Sequence, residues 1–84
     1  MSNFFYTYVL RSRIDGKLYI GWTDDLIRRV KKHNSKEIQS TKNRIPFDLI
    51  YYEACLDKNK AIEREKSLKT GFGRKYLKKR IFNN

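Results

Sequence analysis

Residues 4–22, FFYTYVLRSRIDGKLYIGW, decide the fold of this chain. Residues 4–11 and 17–22 are dense in aromatic and β-branched types, and the segment between them ends in Asp15-Gly16, so the pattern reads strand, turn, strand. Two turns are open. A two-residue turn leaves Tyr8 and Tyr19 on one face but about four residues out of register, roughly 13 Å along the strand at 3.3 Å per residue. A four-residue loop over 13–16 puts Gly16 at the left-handed closing position, pairs Ser12 with Lys17, and sets Tyr8 opposite Gly21 and Tyr19 opposite Leu10. The tyrosines then become diagonal neighbours, roughly 7–8 Å apart on one face. The longer loop is the expectation. Taken alone, a tyrosine pair is ordinary strand composition.

The following segment reads as a helix, with Thr23 as its N-cap, Asp24 and Asp25 in the first turn, and an apolar stripe of Leu26, Ile27 and Val30. At about 100° per residue, Arg28, Lys31 and Lys32 fall on the opposite, solvated side. Arg29 and His33 border the stripe one helical turn apart, so they line the edge of the core as neighbours. Each has a plain alternative: a snorkelling arginine, and a hydrogen-bonded boundary histidine.

Residues 58–70 read as a second helix, capped by Asp57, with Ala61, Ile62 and Leu68 in its apolar stripe. Glu65 falls inside that stripe, about 40° from Ala61, although Glu63, Arg64, Lys66 and Ser67 occupy the rest of the circumference. An inward carboxylate calls for compensation by a basic partner or a metal ion. An ion pair with Arg29 and no catalysis is the plain alternative.

Tyr8, ten residues, Tyr19-Ile20-Gly21, then Thr23, Leu26, Arg29 and His33, with Glu65 in a downstream helix, resemble the GIY-YIG nuclease superfamily over nearly the whole chain. Pro46-Phe47, Leu49-Ile50-Tyr51-Tyr52-Glu53 and Arg64-Glu65-Lys66 are similar to its small stand-alone branch, related to the nuclease domain of a bacterial excision-repair endonuclease subunit. The resemblance implies Tyr8 and Tyr19 as the site tyrosines, Gly21 as the close-packed glycine, Arg29 as the catalytic arginine, His33 as auxiliary base or phosphate ligand, and Glu65 as the metal carboxylate. It also implies an α+β fold, a three-stranded antiparallel sheet flanked by helices. The first triplet departs from the family: Tyr6 stands where a small glycine is usual, on the same face as Tyr8. Larger members use an asparagine near the domain end, and no role is carried over to Asn83 or Asn84.

These residue types suit phosphodiester hydrolysis. A hard cation such as Mg²⁺ (or Mn²⁺) held by Glu65 would polarise a phosphate oxygen, and Arg29 would clamp the non-bridging oxygens. A nearby cation and guanidinium favour a phenolate, so Tyr8 or Tyr19 would deprotonate the water, with His33 in reach.

Composition agrees with a polyanionic partner, DNA above all: 20 Lys and Arg stand against 9 Asp and Glu, a formal net charge of +11 on 84 residues. Three basic regions carry it, one around Arg28, Lys31 and Lys32, one at Lys36, Lys42 and Arg44, and one at Arg74, Lys75, Lys78, Lys79 and Arg80. Of these, Arg28, Lys32, Lys42, Arg44, Lys78 and Lys79 are the expected phosphate contacts. The length suits one domain, 1–84. No stretch is apolar enough to span or enter a membrane, and residues 1–10 lack the charge pattern of a signal peptide. A single cysteine, Cys55, excludes an internal disulfide and, with one histidine, a zinc cluster, which fits a reducing cytoplasm. Trp22 alternates away from the tyrosines and reads as core. A third strand is expected at 47–54, a last helix at 73–82 packing through Leu77 and Ile81, and a loop or short helix over 35–44. Three functions of different class fit: a nuclease of low sequence specificity, possible in repair or recombination; a binding module that turns over poorly, for which Tyr6 argues; and a subunit needing a protein partner.

Overall fold

The computed structural model describes residues 3–82, and its first two strands form the expected hairpin. β1 (Phe5–Ser12) and β2 (Leu18–Thr23) pair antiparallel with Tyr8 opposite Gly21 and Leu10 opposite Tyr19. The four-residue loop closes through Ser12 N–H to the Lys17 carbonyl at 3.0 Å and Gly16 N–H to the Ser12 carbonyl at 2.9 Å. Gly16 takes φ +71°, the left-handed angle that favours a residue without Cβ. β3 (Phe47–Cys55) pairs with the other edge of β1, so the sheet is antiparallel in the order β2-β1-β3. The class is α+β, as expected.

α1 (Leu26–Asn34) starts later than the sequence suggests. Thr23 is still paired with Tyr6 in the sheet, so its backbone cannot open a helix. The cap is Asp25, whose carboxylate accepts the Arg28 N–H at 3.2 Å, and the first turn holds no acidic residue. Ile27 leaves the expected stripe and is 74% exposed. The buried side of the helix is centred on Leu26, Val30 and His33, and Ile27 lies about 100° from Leu26 around the axis, beyond the reach of the sheet.

α2 (Lys58–Leu68) has Asp57 as its cap, as read, and is fastened to β1 by the Thr7 hydroxyl, which donates to the Ala61 carbonyl at 3.0 Å. It ends two residues early because Thr70 turns outward to cap α3 (Gly71–Leu77), which therefore begins before Gly73. The chain then widens into a π turn (Lys78–Phe82) instead of continuing as one α-helix.

Alternation along β1 feeds two cores. Val9 and Ile20 pack with Leu68 and Leu77, flanked by Leu18, Ile50, Tyr51 and Ile81, on the side of α2 and α3. Tyr8, Leu10 and Phe47 pack with Tyr19, Leu26, Val30 and Ile45 on the side of α1. Helices thus cover both faces, and Leu77 and Ile81 pack as expected. Trp22 does not: it is half-buried at the start of α2, with the Lys58 ammonium 5.5 Å from its ring centroid. Among the described residues, no helix is long and apolar enough to cross a membrane.

Candidate active site

Tyr8 lies at the centre of the site because β2 offers no side chain opposite it. A Cβ on Gly21 would stand 2.6 Å from the Tyr8 hydroxyl oxygen and 2.7 Å from Cζ, so only glycine lets the ring lie across the neighbouring strand. The ring is completely buried and its centroid is 6.5 Å from that of Tyr19, the diagonal neighbour the register required. Tyr19 stays half-buried, stacked edge-on to His33 at 4.9 Å.

α1 delivers Arg29 and His33 to the Tyr8 phenol together. The Arg29 Nε donates to the Tyr8 oxygen at 3.3 Å, and His33 Nε2 lies 2.9 Å from the same oxygen. Among the described residues, the two Nη groups of Arg29 make no hydrogen bond to protein, so their donors remain available for an anion, and Arg29 lines a hollow at the start of α1. The depth of α1 is fixed by Asn34, whose side-chain amide exchanges two hydrogen bonds with the Phe47 backbone, at 2.7 and 3.1 Å.

His33 is wholly buried, and its other nitrogen, Nδ1, lies 2.8 Å from the Thr41 hydroxyl. Thr41 directs its own hydrogen to the Ile38 carbonyl at 3.5 Å, which makes its oxygen the acceptor of the His33 Nδ1–H. Nε2 is then bare and accepts the Tyr8 O–H. Burial, helped by the Arg29 charge, lowers the His33 pKa to about 4, so the ring is neutral at neutral pH. Burial pushes the Tyr8 phenol above its usual value, against the pull of the Arg29 hydrogen bond and charge. Thr41 was not among the residues read from sequence. It lies in turns over 35–46 whose composition gives no periodic signal, and only the fold shows that this segment closes over His33.

Glu65 approaches from the opposite face of the sheet, on α2, near enough that its charge also opposes ionisation of Tyr8. Its side chain is 19% exposed and its Oε2 accepts from the Lys69 ammonium at 2.8 Å. The ion pair with Arg29 does not form; the basic partner is Lys69, one turn further along the same helix. The donor chemistry fits a hard divalent cation: one carboxylate with a free oxygen, leaving most positions of an octahedron to water. Among the described residues, no group of three His, Cys, Asp or Glu could hold a metal, so a chelate of the zinc type has no ligands.

The other basic residues separate by what they touch. Arg28 and Lys32 flank Arg29 around a hollow at the start of α1 that Asp24 and Asp25 also line. Arg44 is held by Asp15 at 2.9 Å, with its guanidinium 5.4 Å from the Phe47 ring centroid, and so fastens the 35–46 segment to the hairpin turn. Lys42 is half-buried, while Lys78 and Lys79 are exposed on the terminal turn. Tyr6 does not cover the site: its ring packs edge-on to Tyr52 at 5.9 Å and against Phe4 at 6.5 Å, toward β3. Asn83 and Asn84 lie outside the described residues.

The pattern that defines the GIY-YIG catalytic domain matches residues 4–80. A UPF0213 protein of Staphylococcus saprophyticus is 38% identical over 74 residues, 87% of this chain and 89% of that protein. One from Streptococcus pneumoniae is 45% identical over 65 residues, 76% of this chain and 65% of that protein. The solution NMR structure of the UPF0213 protein BH0048 from Bacillus halodurans resembles this fold with a TM-score of 0.54 at 34% identity, over 88% of this chain and 81% of that one. A likeness that spans both strands of the hairpin, all the helices and the sheet is more than a shared motif, and the chain belongs to the GIY-YIG catalytic domain family.

Proposed function

We propose that this protein is a divalent-metal-dependent endonuclease that hydrolyses phosphodiester bonds in DNA. The observation that supports it most is the Tyr8 oxygen, which accepts from Arg29 and donates to a neutral His33 while the Arg29 Nη groups stay free. A phosphate seated on those Nη groups brings its phosphorus beside Tyr8 in the same act.

The raised pKa of Tyr8 keeps it a phenol at neutral pH, so it serves as a relay and not as a standing phenolate. The attacking water gives its proton to the Tyr8 oxygen as the Tyr8 hydrogen passes to His33 Nε2, and the water oxygen bonds to phosphorus as the bond to the leaving oxygen breaks. Arg29 works twice. Its charge adds to the burial that keeps His33 neutral in the free protein, and a bound phosphate offsets that charge, which raises the basicity of His33 when a proton must be taken up. Arg29 also stabilises the negative charge that grows on the non-bridging oxygens. A divalent cation held by Glu65 would supply Lewis-acid stabilisation of the phosphate and of the leaving oxygen. Tyr6, the feature that argued for a module with weak turnover, packs toward β3 on Tyr52 and Phe4.

Cleavage of end-labelled DNA in Mg²⁺, with a chelator control, tests the reading. Tyr8→Phe removes one hydroxyl and should slow cleavage by roughly 10²–10⁴-fold. Arg29→Lys keeps the charge but loses the planar fork, and should fail as well. Glu65→Gln should abolish cleavage while leaving metal-free DNA binding intact, because an amide is a poor ligand for a hard cation. Wild-type rates in all three would overturn the reading.

A further inference from the structure

A cleft of about 770 Å³ runs along the outer edge of β2, between that strand and the end of α3 with the terminal turn. It begins at the site, because Tyr19 and Lys69 line it, and Lys69 is the residue bonded to Glu65. Its rim carries Lys17, Lys69, Arg74 and Lys78, and no carboxylate lines it. Its floor is apolar, with Leu18 and Leu77, and at the far end Phe82, a ring left 40% exposed although Arg11 packs on it at 5.4 Å.

We propose that this cleft is a binding site for unpaired nucleotides, continuous with the strand being cut; the proposal rests on the nuclease reading and names its substrate class. The argument is one of matched chemistry. A duplex presents phosphates but hides its base faces in the stack, so it has nothing to offer an apolar floor. An unpaired strand presents both, phosphates for a cationic rim and base faces for aromatic and aliphatic side chains. The size agrees: at about 770 Å³ the cleft lies within the range of about 300–1,000 Å³ of clefts that bury small ligands. Charge complementarity and continuity with Tyr19 single out nucleic acid as the occupant. The preferred substrate is therefore DNA with an unpaired segment beside the scissile phosphate, such as a flap, a gap or a free single strand.

The test measures binding without metal, by fluorescence anisotropy at one salt concentration, for a blunt hairpin, the same hairpin with an oligothymidine tail, and a free oligothymidine. The wild type should bind the tailed and free strands about tenfold or more tightly than the blunt hairpin. Phe82→Ala, which keeps every charge, should weaken tail binding by roughly 5–20-fold and leave the blunt hairpin unchanged. Lys17→Glu puts a carboxylate on the rim at an exposed position and should remove the same preference without touching the core. Equal affinity for tailed and blunt DNA, or variants that weaken both alike, would overturn the cleft assignment even if Mg²⁺-dependent cleavage persists. Failure to bind any of the three, together with no cleavage, would instead overturn the nuclease reading on which it rests.

Discussion

His33 is a buried imidazole kept neutral by its surroundings, and that makes it a pH sensor in the stability of the fold. Its native pKa is about 4, while in the unfolded chain it titrates near 6.5. Between those values only the unfolded chain binds the extra proton. The contribution is therefore fully present above about pH 6.5 and is lost as pH falls toward 4, a loss on the order of 3 kcal/mol. Asp15, held at about 2 by Arg44, and Glu53, lowered by Arg64, give up their contributions at more acid pH, below the ordinary carboxylate range. Urea midpoints measured at about pH 7 and about pH 5 should thus differ clearly in the wild type and hardly at all in His33→Gln. Identical midpoints in the wild type would mean that the ring takes up its proton with the same pKa in the native state as in the unfolded chain. Gly21 gives a second residue-level test. A methyl there collides with the Tyr8 ring, which is fully buried and has no room to retreat. Gly21→Ala should cost about 1–3 kcal/mol and abolish cleavage. Gly71→Ala, whose added Cβ meets nothing within 4 Å, is the matched control and should keep full activity. A fully active Gly21→Ala protein would show that Tyr8 does not need its place across β2.

At the scale of elements, the rotation of α2 decides where Glu65 points, and the neighbouring residue sets that rotation. Arg64 grips Glu53 of β3 with both arms, at 2.8 and 2.9 Å, while the Tyr51 hydroxyl donates to the same carboxylate at 2.6 Å. The Arg64 guanidinium also lies 4.8 Å from the Tyr76 ring centroid, so α2, β3 and α3 meet at one side chain. Arg64→Lys keeps the charge but loses the fork. We expect a loss of about 1 kcal/mol in denaturant unfolding, small because the pair is partly solvated, with a larger proportional fall in cleavage as Glu65 loses its aim. Unfolding and cleavage unchanged together would show that the clamp does not position the helix. These elements also show what a sequence can reveal. The hairpin register was legible because Gly16, Asp15 and the alternation of types act within a few residues. The inward turn of Glu65 was legible from helical period, and its partner Lys69 could have been read from the same spacing. Asp25 as cap was hidden because the end of β2 depends on pairing with β1, not on Thr23 itself. Thr41 over His33 and Arg64 on Glu53 were hidden too, since contacts between elements leave no local pattern.

Over the whole molecule, charge is distributed by pairing as much as by sequence. Asp48, Asp15, Glu53 and Glu65 are each taken by a base, Arg13, Arg44, Arg64 and Lys69 in turn. Each pair sums to zero, so these four bases go to fastening turns and helices while the excess of +11 rests on the cations that remain. Left around the β2 edge are Arg28, Arg29 and Lys32 at one end and Lys17, Arg74 and Lys78 at the other, with the Tyr8 group between them. A strand laid along that edge would meet roughly five of these cations. Counterion release then predicts a slope of log affinity against log salt of about −3.5 on single strand. Lys78→Ala should shift the slope by roughly one unit toward zero while leaving the single-turnover cleavage rate at saturation unchanged. Arg13→Ala removes a cation already committed to Asp48 and away from that edge, so it should leave the slope as it was. A wild-type slope near −1 would mean that the excess charge keeps the protein soluble without meeting phosphates, and binding would then have to rest on Arg29 alone.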